Sequence, residues 1–109
     1  DFIELSMAKA LPFSLLLNEL ITNSYKHAFK EKNNGTISIS CLKEQNNLVL
    51  NFKDDGCGFD ISKINKEESL GMNLIEAFSL QLGAKAVFES KIDIGTEFKL
   101  QFKQELNNT

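Results

Sequence analysis

Two cysteines, one proline, one histidine and no tryptophan occur in 109 residues, and these scarcities close off whole classes of protein. Cys41 and Cys57 stand alone, without ligand spacing or further cysteines, which excludes a disulfide framework and a zinc module. Reduced thiols in a cytoplasmic setting are the plain reading. The single histidine, His27, has no second His or Cys at metal-ligand distance along the chain, and no nucleophile–base set surrounds it. No apolar run approaches the roughly 20 residues that span a bilayer; the stretch from Leu11 to Ile21 is broken by Asn18 and Glu19, and no secretory leader is visible. Neither G-x-x-x-x-G-K-[ST] nor a G-x-G-x-x-G between strand and helix is present, so the two familiar phosphate loops are excluded. A formal net charge of −3 argues against nucleic acid as a partner, but a nucleotide needs only local positive charge.

What remains is an ordinary globular composition, 42% hydrophobic and 25% charged, sufficient for one domain over 1–109 with a single core. The chain opens on Asp1 rather than Met, and the expectation is a piece of a longer protein that shares its function with other segments.

Periodicity predicts a short strand at 2–5, then a helix between about Ala8 and Phe29 whose regular part starts near Pro12, since proline is tolerated in a first turn. Asn34-Gly35 marks a break, and strands follow over 36–42 and 48–53 with a turn at Asn46-Asn47. Residues 56–69 read as a loop and 70–82 as a second helix, closed by Gly83. Two more strands, 84–89 and 97–103, join around 93–96, and the tail from Glu105 is polar. This order implies an α+β two-layer sandwich: two helices on one face of a mixed, mostly antiparallel sheet.

Four segments carry chemistry. On the first helix, Glu19, Asn23 and Lys26 fall within about 60° of one another, with Leu17, Ile21, Ser24 and Ala28 nearly opposite. A carboxylate and an amide one turn apart suit a hard cation such as Mg²⁺, and the ammonium suits phosphate. A solvated helix face explains the same stripe more simply when it is taken alone. Asp54, at a strand end before Asp55-Gly56-Cys57-Gly58, can accept from the exocyclic amine of adenine, with Gly56 and Gly58 letting the backbone approach the ring. An acidic turn is its plainer alternative. Ser69-Leu70-Gly71-Met72 is expected to open the second helix, where unpaired N–H groups favour phosphate, although a serine cap accounts for it too. Gly95-Thr96 reads as a turn whose hydroxyl reaches the base or a nearby water.

In this order, these segments resemble the ATP-binding domain of sensor histidine kinases, which shares the Bergerat fold with gyrase and heat-shock chaperone ATPases. The likeness runs from about Leu11 to Phe102. Glu19–Ala28 looks like the N box, Asp54–Gly58 the G1 box, Ser69–Met72 the G2 box, and Gly95–Phe98 the closing G-T-x-F. Lys26–Phe29 and Ser69–Leu74 are similar to relatives of the HWE-type kinases, whose Trp-x-Glu is missing here. Ser69 also replaces the first glycine of the G2 box, and the F box is absent.

The resemblance implies ATP and Mg²⁺ as cofactors. Asn23 would coordinate the metal, with Glu19 at its edge, and Lys26 would contact phosphate, with His27 alongside. Asp54, Gly56, Gly58 and Thr96 would hold the base. Ser69, Leu70, Gly71 and Met72 would cradle phosphates, and residues 59–69 would form a lid. The implied partners are a histidine-bearing dimerisation domain outside this segment and a response regulator, in a cytoplasmic location. A serine kinase of the anti-sigma type, or a non-catalytic module of the same fold, are the alternatives.

Overall fold

The computed structural model describes residues 3–28, 35–56, 66–91 and 94–103. In chain order they form α1 (Met7–Asn23), a π-helical turn (Ser24–Ala28), β1 (Ile37–Glu44), β2 (Asn47–Asp54), α2 (Lys66–Leu82), β3 (Lys85–Lys91) and β4 (Gly95–Lys103). The strands build one sheet in the order β1-β2-β4-β3. Every pairing among them is antiparallel.

The core lies between this sheet and the two helices. The central strands supply Leu48, Leu50 and Phe52 from β2 and Phe98, Leu100 and Phe102 from β4. Residues at alternate positions share a face, so each strand turns one apolar row inward. Register sets Phe52 opposite Phe98 and, two residues on along the same face, Asp54 opposite Thr96. The apolar rows thus run directly into a polar pair at the sheet's end. Leu16 and Leu20 of α1, with Ile75 and Leu82 of α2, close the core from above.

Several boundaries differ from the sequence expectation. Helix α1 begins at Met7, not near Pro12, with the carbonyl of Ser6 accepting from Lys9 N and Ala10 N at 3.0 and 2.9 Å. Pro12 is buried inside the helix, where it withholds the N–H that Ala8's carbonyl would take. Ile3 to Leu5 form no strand; Ile3 and Leu5 pack against the core instead. The hairpin turn falls on Gln45-Asn46, one residue early, with Gln45 at φ 56° as a tight connection demands. Helix α2 starts at Lys66, which places Ser69–Met72 inside it. Gly95 and Thr96 belong to β4 rather than to the preceding turn. The turn at Gly83 matches expectation: φ is +65°, and Ala84 N reaches back to Ser79 O at 2.9 Å.

Lys9 ties these layers together at the end far from Asp54. Its ammonium donates to the carbonyls of Leu82 (3.2 Å) and Lys103 (2.9 Å) and sits 5.4 Å from the Phe102 ring centre. It thereby serves one of the carbonyls that the end of α2 leaves without a helical donor. Lys9→Met keeps the stem and removes these contacts. The expected cost is about 1 kcal/mol, read from urea unfolding.

Candidate functional site

The site begins where α1 loses its regular winding. From Ser24 the helix widens into a π turn, a feature that recurs at functional positions. Ser14 and Ser79 donate their hydroxyls to the carbonyl four residues back, Ala10 at 2.6 Å and Ile75 at 2.8 Å, as helical serines commonly do. Ser24 does not follow them. Its hydroxyl donates instead across 30 residues of chain to Asp54 Oδ2, at 2.6 Å.

Asp54 closes β2 and is 2% exposed. Its Oδ1 accepts from two backbone amides, Gly56 N and Thr96 N, both at 3.1 Å. Two amides and one hydroxyl are what a buried carboxylate needs to persist away from water. Thr96 Oγ1 in turn shares a 2.9 Å hydrogen bond with Ser90 Oγ. Gly95 makes the arrangement possible: its φ is +135°, and a Cβ there would fall 2.2 Å from Asp54's carbonyl oxygen.

Asn23 completes the cluster from the other side. It is half-buried at the end of α1 and lies directly against Gly71 of α2. A Cβ on Gly71 would sit 3.0 Å from Asn23 Nδ2 and 3.1 Å from Oδ1. Two helices therefore meet at a carboxamide and a glycine, next to the serine that grips the carboxylate. Two adjacent residues of α1 thus reach distant segments: Asn23 lies against Gly71, and Ser24 bonds Asp54, whose carboxylate also holds the amides of Gly56 and Thr96.

The polar stripe on α1 is positioned differently from the expectation. The buried line runs through Pro12, Leu16, Leu20 and Ser24, while Ile21 is 41% exposed. At about 100° per residue, Asn23 falls within about 60° of both Leu16 and Leu20. Glu19 and Asn23 thus flank the core instead of facing away from it, and both are half-buried. Lys26 is exposed. Leu17 still packs at the core's edge, but the apolar type at 21 misleads the periodicity, because the buried line lies on the 16/20 side.

Leu70 is exposed, Gly71 buried and Met72 half-buried. Since α2 starts at Lys66, the amides of Leu70 to Met72 belong to its hydrogen-bonded interior and not to an open helix end. Gly58 and residues 59–65 lie outside the described residues, as do the side chains of His27 and Ser69. Ser24 is the contact that sequence reasoning passed over. A lone hydroxyl in an otherwise apolar buried line was the available signal.

A separate groove of about 420 Å³ runs between α2 and β3, lined by Ile75, Leu80, Ala86, Phe88 and Phe98 among others. Neither Asn23 nor Asp54 is among its described lining residues.

The family model for histidine kinase-, DNA gyrase B- and HSP90-like ATPases matches residues 8–106. In structure, the chain resembles the histidine kinase domain of the Erythrobacter litoralis EL346 blue-light activated histidine kinase. The TM-score is 0.81 at 22% identity, over 95% of this chain and 48% of that one. The Acinetobacter baumannii histidine kinase AdeS gives 0.64 at 19%, over 89% and 47%. At these identities the likeness concerns the fold. In sequence, the serine-protein kinase RsbW of Listeria monocytogenes is 36% identical over 53 residues, which are 49% of this chain and 34% of that protein. The sensor histidine kinase CitA of Klebsiella pneumoniae is 25% identical over 99 residues, 78% of this chain and 18% of that protein. The chain therefore spans about a third of the first relative and less than a fifth of the second.

Proposed function

From the premise that the chain belongs to the family of histidine kinase-, DNA gyrase B- and HSP90-like ATPases, we propose that it is the ATP-binding catalytic domain of a two-component sensor histidine kinase related to the HWE-type group. The observation that carries this reading is the buried Asp54 carboxylate, held by Ser24, Gly56 and Thr96 beside the Asn23–Gly71 seam.

The residues fit a nucleotide. Among the described residues, donors fill three of the roughly four acceptor positions of Asp54, which leaves one for an amine donor on a base. Gly71 has no Cβ to press on Asn23, whose carboxamide lies where that atom would crowd it at 3.0 Å. Among the described residues no three His, Cys, Asp or Glu side chains converge. A cation here would therefore take much of its shell from phosphates, as Mg²⁺ commonly does.

On this reading Asn23 would hold Mg²⁺, with Glu19 at its edge or polarising a water, and the metal would supply charge to offset the phosphates. Lys26 adds an ammonium for the same charge, and His27 stands in the same turn. Asp54 takes the base amine, with Gly56, Gly58 and Thr96 shaping the floor. Ser69, Leu70, Gly71 and Met72 line the phosphate side. The protein's work is positioning and charge compensation, which is what phosphoryl transfer mostly requires. The γ-phosphoryl would pass to a histidine nitrogen on a separate dimerisation domain, releasing ADP, and then to an Asp of a response regulator. Without that acceptor the domain binds ATP and turns it over very slowly. No helix among the described residues is long and apolar enough to cross a membrane; the proposed location is cytoplasmic.

The similarity to a serine-protein kinase supports a second reading, in which the same site phosphorylates serine. Incubating the full-length parent protein with γ-labelled ATP separates the two. The expected label is lost in acid and kept in alkali, as a phosphoramidate is. A label stable in acid would transfer the assignment to the serine kinases.

A further inference from the structure

We infer that Ser24 is a positioning residue for the base, aiming the Asp54 carboxylate so that it offers one acceptor to one amine. The inference rests on the nucleotide reading above and specifies how that site selects its ligand.

The argument starts from hydrogen-bond capacity. A carboxylate has two oxygens and about four acceptor positions, and no donors. The amides of Gly56 and Thr96 fill Oδ1. Those two bonds anchor one oxygen and leave the other to swing about it. Ser24 stops the swing: its hydroxyl takes one position on Oδ2 at 2.6 Å. With the described donors in place, one acceptor position then remains, and its direction is set by the protein.

This role is not a by-product of helix geometry. Ser24's own N–H is already engaged with Ile21 and Leu20 carbonyls. The usual destination for its hydroxyl, the carbonyl four residues back, is what Ser14 and Ser79 choose. Ser24 starts the π turn and sends its hydroxyl to Asp54 instead, with both residues almost fully buried (3% and 2% exposed). Its single hydroxyl hydrogen is spent on Asp54, so toward a ligand it presents lone pairs alone.

Adenine and its 6-desamino analogue, purine, differ by the amine that this acceptor would meet. Ser24→Ala removes the hydroxyl and leaves the two amide bonds to Oδ1 in place. Binding of ATP and of purine riboside triphosphate, each with Mg²⁺, would be measured by calorimetry on wild type, Ser24→Ala and Ser24→Thr. Ser24→Ala is expected to lose about tenfold in affinity for ATP and to change affinity for the desamino analogue by less than about twofold. Ser24→Thr, which keeps the hydroxyl, retains the wild-type preference. A merely structural role lowers both affinities together, and that result, or no loss at all, overturns the inference. If Ser24→Ala does not fold, Ser24→Cys replaces the hydroxyl by a weak donor and is expected to give an intermediate preference; an unchanged preference overturns the inference equally. A wild type that binds both ligands alike would instead remove Asp54 from the base contact, a failure of the preceding reading that is distinct from this one.

Discussion

Asp54→Asn is expected to reduce ATP affinity by about 100-fold while the domain stays folded. The reason lies in which oxygen the amide can keep. Gly56 N and Thr96 N both donate to Oδ1, so the asparagine must direct its oxygen there. Its NH₂ then occupies the Oδ2 position, where Ser24's hydroxyl donates at 2.6 Å in the native protein. The hydroxyl can rotate and accept instead, which limits the loss of stability. An adenine amine cannot: it meets a donor where it needs an acceptor. Calorimetric titration with ATP and Mg²⁺, beside a melting curve for each protein, reads both quantities. Affinity equal to wild type would remove Asp54 from the base.

Gly95→Ala is expected to be strongly destabilising for a single added methyl, costing about 3–4 kcal/mol. Two effects add. At φ +135° a side chain is strained by its own backbone, and the new Cβ would stand 2.2 Å from Asp54's carbonyl oxygen. Relief would require β4 to shift against β2 where Asp54 faces Thr96. That shift would also withdraw Thr96 N from the carboxylate, so nucleotide affinity should fall with stability. Gly83→Ala provides the control. Its φ is +65°, but no atom lies within 4 Å of the added carbon, so it should cost only about 1 kcal/mol. Urea unfolding of both variants checks the pair; equal costs would contradict the geometry at the start of β4.

The layout of helices and strands was largely legible because it rests on patterns of period two and period 3.6. Leu48, Leu50 and Phe52 announce one buried strand face, and Phe98, Leu100 and Phe102 another. Gly83 announces a helix end, since a positive φ was needed there. What escaped was set by tertiary contacts. Nothing local to Leu17 or Ile21 says that α2 covers the neighbouring stripe instead, so the buried face of α1 was misplaced by part of a turn. Pro12 argued for a later helix start than the one adopted, because burial of its ring against the core outweighs one missing hydrogen bond. In the site, Asp54 was readable from the glycines beside it and Asn23 from its place among Glu19 and Lys26. Ser24 stood out only as a lone hydroxyl in a buried line, because its partner is 30 residues away and the π turn that directs it leaves no mark in composition.

The central claim is that α1, α2 and the ends of β2 and β4 build one nucleotide site. Titrating ¹⁵N-labelled domain with ATP and Mg²⁺, and following the amides of Asn23, Asp54, Gly71 and Thr96, tests it most directly. The four signals should shift together and saturate along one binding curve. Shifts confined to the groove between α2 and β3, around Leu80, Ala86 and Phe88, or no shifts at all, would contradict it.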